Sequence, residues 1–295
     1  MWSSRLRTYG SLVAFSHTVF AMPFAATALV LAFSVPHAPL TLGKGLAMLV
    51  CMVSARTSAM AFNRYLDRDI DAKNPRTRAR EVPSGRVTPR EALALAVACA
   101  VLFVASAATI GPVPAALSPL VLAILLGYSF AKRFTWAAHA WLGVALSLAP
   151  GGVWIAMGAA PSWAIALLML GVATWLLGFD VLYALQDEQF DRAEGLRSIP
   201  ARFGVRRAIQ IARGSHTLTV IALSGVGICL DLSYIYAAAL LFVACLLAFE
   251  HALVKENDLS RIDKAFFDVN AWISVGFFLL TLVDASARHW MRLAR

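Results

Sequence analysis

The sequence predicts an all-α, polytopic membrane protein with nine transmembrane helices. Of its 295 residues, 60% are hydrophobic and only 15% are charged, whereas soluble domains are about 45–50% apolar and about 25% charged. The mean hydropathy is correspondingly high, at +0.70. Apolar runs long enough to cross a bilayer recur along the whole chain. We therefore expect a single integral-membrane domain over residues 1–295.

A spanning helix needs roughly 17–25 mostly apolar residues, and segments of that length define the predicted spans. In chain order they are Ser11–Ser34, Leu42–Leu66, Ala92–Ile110, Pro114–Phe130, Ala138–Met157, Ser162–Gln186, Ala208–Cys229, Ser233–Leu253 and Phe266–Ala287. The first run is too long for the apolar region of a signal peptide, and further spans follow it. We interpret it as a retained first helix.

The distribution of basic residues predicts the orientation in the membrane. Placing the N-terminus in the cytoplasm puts most of the 26 Lys and Arg residues in cytoplasmic segments, as is typical of membrane proteins. The net charge of +9 therefore needs no nucleic-acid partner. We expect a multi-pass protein of the bacterial inner or plasma membrane, with the bilayer as its partner and its active site facing the cytoplasm.

Two acidic motifs occupy the predicted cytoplasmic ends of the second and sixth spans. Asn63, Asp67 and Asp71 are spaced four apart, which on a helix places their side chains on one face. Asp187 and Asp191 repeat the spacing 120 positions after Asp67 and Asp71. Each motif follows an apolar run and leads into a basic loop, which indicates a structural repeat about four helices long.

Carboxylates near lipid are costly, so they rarely occur without a partner or a function. One alternative is that they form interfacial salt bridges with the neighbouring arginines. The duplicated pairs favour a divalent cation instead, because Mg²⁺ takes one or two carboxylates together with waters and substrate phosphates. The candidate metal ligands are Asp67, Asp71, Asp187 and Asp191. The candidate diphosphate-binding residues are Asn63, Lys73, Arg76, Arg80, Lys132 and Arg133.

A diphosphate bridged by Mg²⁺ fits both signs of charge, and apolar helices around it indicate a lipid tail. We therefore predict a polyprenyl diphosphate substrate, whose departing diphosphate leaves an allylic cation. Aromatic faces can shelter such a cation, and Tyr128 and Tyr183 are the candidates. Packing in the interfacial aromatic belt is the alternative for each tyrosine, and for Tyr128 the two interpretations stay open.

Arg56 and Asp180 lie seven residues before Asn63 and Asp187, which is about two helical turns deeper in the membrane. An intramembrane arginine faces the interior of the helix bundle and needs an anion. Arg56 either forms a structural pair with an aspartate such as Asp180 or binds an acidic second substrate or the diphosphate. Asp180 is the corresponding deep residue of the second motif, and both are candidate acceptor-binding residues.

These motifs resemble the two signatures of the UbiA superfamily of intramembrane aromatic prenyltransferases. The resemblance covers Asn63-x-x-x-Asp67-x-x-x-Asp71 and Asp180-x-x-Tyr183-x-x-x-Asp187-x-x-x-Asp191, with the loops at Arg76–Gly85, Tyr128–Thr135 and Gly195–Pro200. It implies nine helices around a central, lipid-open cavity and Mg²⁺-dependent prenyl transfer to an aromatic acid in ubiquinone or menaquinone biosynthesis.

The acceptor implied by the resemblance is 4-hydroxybenzoate or, alternatively, 1,4-dihydroxy-6-naphthoate. Arg64 follows Asn63 where many 4-hydroxybenzoate enzymes have Asp, so the acceptor is less well specified than the reaction. A cation-coupled transporter is the competing class, since it also has repeats and membrane carboxylates. Transporter sites lie near the midplane on broken helices, whereas these carboxylates lie at predicted helix ends beside arginine-rich loops, which favours diphosphate chemistry.

Overall fold

The computed structural model describes residues 8–12 and 18–293, and within that part the chain is helical with no β-strand. The helices are α1 Thr18–Ala32, α2 Leu42–Leu66, α3 Arg68–Lys73, α4 Pro89–Ile110, α5 Pro112–Phe134, α6 Ala138–Ala156, α7 Trp163–Tyr183, α8 Glu188–Ala193, α9 Ile199–Cys229, α10 Tyr234–Leu253, α11 Ile262–Lys264 and α12 Asn270–Leu293. A 3₁₀ turn at Ala184–Asp187 joins α7 to α8. A π-helical turn at Ala265–Val269 joins α11 to α12.

Seven helices in the described part are long and apolar enough to cross a membrane, which establishes an integral, multi-pass protein. The predicted total of nine spans is not confirmed. Helix α1 has 15 residues, and residues 13–17 of the predicted first span lie outside the described part. Helix α9 has 31 residues, but Arg213 and His216 within it make it too polar for the same criterion. Within the described residues, each of the nine predicted spans nevertheless overlaps a helix.

One compact unit comprises Met1–Thr18 and Leu40–Ala131. Its centre is the packing of α2 against α4, where the hydroxyl of Ser58 donates to the carbonyl of Ala96 at 2.8 Å. Small residues at this contact allow the two backbones to approach closely. A capping box formed by Thr88 and Glu91 starts α4, which fixes the end of the basic loop that follows the first motif.

The second compact unit comprises Val19–Pro39 and Lys132–Arg295. Helix α7 lies at its centre, packed against α6 and α9, while α10 packs on α12. Gly178 allows the close approach of α9, since a Cβ at that position would lie 2.2 Å from the ring of His216. Gly204, at φ 78°, interrupts α9 near its start. The second motif continues directly from the buried central helix.

Candidate active site

The first motif begins where α2 ends. Asp67 takes φ −91° and ψ 4°, a sparsely populated region in which active-site residues are often found. Backbone hydrogen bonds from Asp67 N to Asn63 O and from Asp71 N to Asp67 O, at 2.9 and 2.7 Å, keep the four-residue register. Asn63 Nδ2 also donates to Asp67 Oδ2 at 2.8 Å. The helix is thus interrupted at Asp67, yet the four-residue register of Asn63, Asp67 and Asp71 is kept across the break.

The second motif repeats this interruption. Helix α7 ends at Tyr183, and Asp187 takes φ −98° and ψ 1° at the end of the 3₁₀ turn. Asp191 is the fourth residue of α8, as Asp71 is of α3, and each of these helices has 6 residues. Asp71, Asp187 and Asp191 are all buried, with 6%, 6% and 2% of their surface exposed. The two motifs thus share backbone conformation as well as spacing.

Asp71 is engaged by Arg80 from the loop that follows α3. Arg80 Nη1 donates to both carboxylate oxygens, at 2.8 and 3.0 Å. Thr77 Oγ1 donates to the Asp71 carbonyl at 3.1 Å, and Asn74 Oδ1 accepts from the Arg76 backbone N at 2.9 Å. The basic loop is therefore folded back onto the motif. This ion pair is the interaction that the salt-bridge alternative expects.

Asp191 is engaged more weakly than Asp71. Lys132 Nζ lies 3.5 Å from Asp191 Oδ2, yet this buried oxygen accepts no hydrogen bond. The backbone of Lys132 is held by Arg197, whose N–H donates to the Lys132 carbonyl at 2.7 Å. Arg197 also donates to the carbonyl of Phe134 at 2.6 Å. The end of α5 and the loop after α8 are thereby joined beside the second motif.

A divalent cation fits this donor set. In the part of the chain that the structure describes, no group of three or more His, Cys, Asp or Glu side chains is close enough to bind a metal by itself. Mg²⁺ does not need such a group, because it retains waters and binds substrate phosphates. The unsatisfied, buried Asp191 Oδ2 is the kind of oxygen that a bound cation would complete.

The remaining predicted diphosphate ligands are placed on the surface. Lys73, Arg76 and Arg133 are exposed. Arg80 pairs with Asp71 and Lys132 lies beside Asp191. The predicted cationic residues therefore differ in burial, with Arg80 and Lys132 half-buried and the other three exposed.

Two arginines of α2, Arg56 and Arg64, carry unsatisfied Nε donors. Arg56 is half-buried, and its Nε has no hydrogen-bond partner. Arg64 is 8% exposed and its Nε is likewise unsatisfied. The sequence predicted a role for Arg56 and none for Arg64. The position of Arg64 directly after Asn63, inside the first motif, was the feature of the sequence that could have identified it.

Asp180 is paired with His139. The Nδ1 of His139 lies 2.6 Å from Asp180 Oδ2, which links α6 to α7. His139 is 1% exposed and its Nε2 has no hydrogen-bond partner. His139 is therefore a buried histidine that holds the Asp180 carboxylate. The structural partner proposed for Arg56 is thus already bound to an imidazole.

Tyr183 is held in an aromatic stack. Its ring lies 4.0 Å from that of Phe266, centroid to centroid, at an interplanar angle of 28°. Phe267 contacts the same ring edge-on at 6.3 Å. Tyr128 is half-buried on α5, and for it the two interpretations stay open. Sequence reasoning missed Phe266, which lies 83 positions after Tyr183.

The fold and these motifs define a class: a multi-pass, all-helical membrane enzyme with two carboxylate motifs beside basic loops. The UbiA prenyltransferase family matches residues 21–280. A "4-hydroxybenzoate octaprenyltransferase" of Aeromonas hydrophila subsp. hydrophila is 31% identical over 215 residues, 73% of this chain and 75% of the relative.

Solved structures agree with this assignment. The apo structure of a UbiA homolog from Aeropyrum pernix K1 is 32% identical, with a TM-score of 0.81, and covers 91% of this chain and 98% of its own. A UbiA homolog from Archaeoglobus fulgidus bound to GPP and Mg²⁺ is 19% identical, with a TM-score of 0.73 over 95% of this chain and 99% of its own. The chain belongs to the UbiA prenyltransferase family, and it is a polyprenyltransferase. The resemblance in the motifs is confirmed, and the transporter alternative has no support.

Proposed function

We propose that the protein transfers a polyprenyl group from polyprenyl diphosphate to a ring carbon of an aromatic hydroxy acid, with Mg²⁺ as cofactor. The observation that carries the proposal is the duplicated buried aspartate beside a cation: Asp71 with Arg80 and Asp191 with Lys132. A metal-bridged diphosphate needs both signs of charge in one place. The Archaeoglobus homolog bound to GPP and Mg²⁺ supports this assignment.

Each part of the diphosphate has candidate partners. Asp67, Asp71, Asp187 and Asp191 would hold Mg²⁺, which supplies neutralising charge for the departing diphosphate when bound. Lysine binds phosphate oxygens as a point charge and arginine as a planar fork. The residues we assign to the diphosphate are Asn63, Lys73, Arg76, Arg80, Lys132 and Arg133.

The reaction is an electrophilic substitution on the acceptor ring. The allylic C–O bond breaks and its electron pair leaves with the diphosphate. A ring carbon next to the acceptor hydroxyl then supplies the electrons of the new C–C bond, and the ring loses the proton from that carbon. Tyr183 and Tyr128 would face the allylic cation, since aromatic rings attract cations through their faces. An apolar surrounding keeps water from capturing the cation first.

We assign the acceptor carboxylate to Arg56. Its unsatisfied Nε lies within the apolar part of α2, where a bound anion would remove the cost of the buried donor. Asp180, fixed by His139, is the second acceptor-binding candidate. The relatives' name favours 4-hydroxybenzoate. 1,4-Dihydroxy-6-naphthoate is the alternative, because Arg64 departs from the 4-hydroxybenzoate pattern.

We further propose nine membrane-spanning helices around a lipid-open cavity. Helices α1 and α9 would add two spans to the seven that are long and apolar enough. The basic loops then lie in the cytoplasm of a bacterial cell, following the usual asymmetry of Lys and Arg. The polyprenyl tail would remain in the bilayer while the diphosphate meets the motifs at the cytoplasmic surface. Ubiquinone or menaquinone synthesis is the consistent context.

The decisive experiment uses the purified protein in nanodiscs with radiolabelled prenyl diphosphate, Mg²⁺ and a panel of acceptors. We expect a prenylated aromatic acid, with 4-hydroxybenzoate giving the greater turnover of the two candidate acids. Turnover with naphthoate alone would reassign the acceptor and leave the reaction class intact. Transfer only to a non-aromatic alcohol would overturn the proposal.

A further inference from the structure

The π-helical turn before α12 seats an aromatic ring against the second motif. Ala265–Val269 forms this turn, and π-turns within helices are rare and often occur at functional sites. Phe266 from the turn is 7% exposed and stacks on Tyr183 at 4.0 Å. Because Phe266 covers one face of the Tyr183 ring, an allylic cation could meet only the opposite face.

Asn270 fixes the turn from its C-terminal side. Its Nδ2 donates to the Ala265 carbonyl at 3.0 Å and to Glu250 Oε1 at 2.7 Å. Its Oδ1 accepts from Trp175 Nε1 at 2.8 Å. An indole N–H can only donate, so Trp175 fixes which end of the amide faces which partner. Asn270 is 0% exposed, and both of its amide hydrogens are used.

The same amide is connected to Tyr183 through a row of rings on α7. Trp175 and Phe179 contact edge-on at 4.8 Å, and Phe179 contacts Phe266 at 5.2 Å. Trp175, Phe179 and Tyr183 are spaced four apart, so they lie on the face of α7 that leads to Asp187. Phe266 inserts beside the last two rings. Asn270 therefore reaches Phe266 indirectly, through the carbonyl of the preceding residue Ala265 and through the Trp175 and Phe179 rings.

We propose that Phe266 and Asn270 are positioning residues that set the orientation of the Tyr183 ring toward the allylic carbon. This inference rests on the proposed prenyl transfer. Phe266 acts by stacking on Tyr183, and Asn270 acts by holding the turn that carries Phe266. Glu250 is 1% exposed and completes the arrangement as the acceptor for Asn270.

The test compares Phe266→Leu and Asn270→Asp with a matched control, Phe277→Leu. Phe277 is a buried ring on α12 that contacts the rings of Phe24 and Tyr236 and not that of Tyr183. Asn270→Asp keeps the oxygen that accepts from Trp175 Nε1. It replaces the Nδ2 donor by a second oxygen, which faces the acceptor oxygens of Glu250 and Ala265 and cannot donate to them. We expect kcat to fall about tenfold to a hundredfold in both test variants. The KM for prenyl diphosphate and the kcat of the control should change about twofold or less.

A double-mutant cycle separates positioning from general damage. In a Tyr183→Leu background, adding Phe266→Leu should lower kcat by no more than about twofold, because the ring that it positions is gone. Glu250→Gln keeps an acceptor oxygen for Asn270 and should retain near wild-type kcat. The assignment would be overturned if the loss of kcat in the double variant equalled the product of the losses in Tyr183→Leu and Phe266→Leu. It would also be overturned if Phe277→Leu lost as much kcat as Phe266→Leu.

A second readout does not depend on turnover. Amide hydrogen exchange over residues 183–187 should be faster in Asn270→Asp than in Phe277→Leu, because the stack on Tyr183 is loosened only in the former. Equal exchange in the two variants counts against positioning. If the wild-type protein prenylates none of the acceptors, the proposed function fails, and the exchange comparison still decides whether Asn270 holds Tyr183.

Discussion

Arg80 Nη1 donates to both carboxylate oxygens of Asp71, at 2.8 and 3.0 Å, across nine positions of sequence. Asp71 is 6% exposed, so the arginine replaces water that the carboxylate has lost. The contact ties α3 to the basic loop. It also means that Arg80 cannot be assigned to the diphosphate alone, because the same guanidinium stabilises a candidate metal ligand.

Replacing Arg80 by alanine should destabilise the protein. Removing one partner of a buried pair leaves an uncompensated charge, which costs about 3–5 kcal/mol in full burial. The Arg80 side chain is 29% exposed, and for such a pair we expect about 1–3 kcal/mol. Thermal unfolding in detergent measures the change, with the exposed Arg78→Ala as control. Adding Asp71→Asn to Arg80→Ala should restore part of the lost stability, because the unpaired charge is removed. Equal melting temperatures for Arg80→Ala and Arg78→Ala would contradict the predicted destabilisation.

Turnover should require a divalent cation and both interrupted motifs. Asp67→Asn and Asp187→Asn should each abolish prenyl transfer, because each removes a charged oxygen at the helix break. Asp69→Asn is the matched control, since its side chain is 81% exposed and pairs with Arg68 at 3.5 Å. Product formation is measured with Mg²⁺, with Mn²⁺ and with excess chelator. Activity that survives the chelator, or near wild-type rates in both mutants, would remove the metal–diphosphate assignment.

Lys132→Ala and Arg76→Ala should weaken the binding of prenyl diphosphate more than that of the acceptor. Loss of a charge-assisted contact costs about 1.5–3 kcal/mol, which corresponds to a roughly tenfold to hundredfold lower affinity. Arg90→Ala, an exposed cation at the start of α4, serves as control and should change neither affinity. Titration of each substrate against each variant decides the matter. Unchanged diphosphate affinity in both variants would show that these cations serve only the fold.

Hydropathy alone located most helices, because their ends are set by residues next to them in the sequence. The predicted span Leu42–Leu66 is helix α2 itself, since Thr41 caps its start and the motif interrupts its end. Helix α9 shows the limit: Arg213 and His216 lie inside it, and His216 is buried against α7 and α10 by contacts to Trp175 and His251. A polar side chain that is satisfied by tertiary partners, such as His216, lowers the hydropathy of a helix that is nevertheless packed in the bundle.

The motif carboxylates were predictable because their spacing and duplication are visible in one dimension. The backbone conformation around these carboxylates and the contacts of the nearby Tyr183 ring were less predictable. The break at Asp67 depends on backbone dihedral angles, and the four-residue register is the same with or without it. Phe266 reaches Tyr183 through a π-turn that has no sequence signature and a separation of 83 positions. Such contacts arise only from the packing of α7 against the turn before α12.

Arg56→Lys should impair use of the acceptor while leaving diphosphate affinity nearly intact. Arginine binds a carboxylate through a planar, two-pronged contact that an ammonium cannot reproduce. The hydroxyl of the acceptor activates the neighbouring ring carbon, and the carboxylate fixes which carbon meets the allylic group. Orientation of this kind can contribute ~7 kcal/mol or more of the barrier, so a modest misplacement should raise the acceptor KM or lower kcat.

The comparison that isolates Arg56 uses acceptors with and without a carboxylate. With 4-hydroxybenzoate and 1,4-dihydroxy-6-naphthoate, Arg56→Lys should lower kcat/KM about tenfold to a hundredfold, the cost of about 1.5–3 kcal/mol for a charge-assisted contact. With phenol or 1,4-dihydroxynaphthalene, wild type and mutant should differ little, because neither ring offers an anion to position 56. The unsatisfied Nε of Arg56 motivates this expectation, since a buried guanidinium donor gains most from an anionic partner. If Arg56→Lys instead penalises every acceptor equally and weakens prenyl diphosphate binding, Arg56 belongs to the leaving-group site, and the acceptor carboxylate must bind elsewhere.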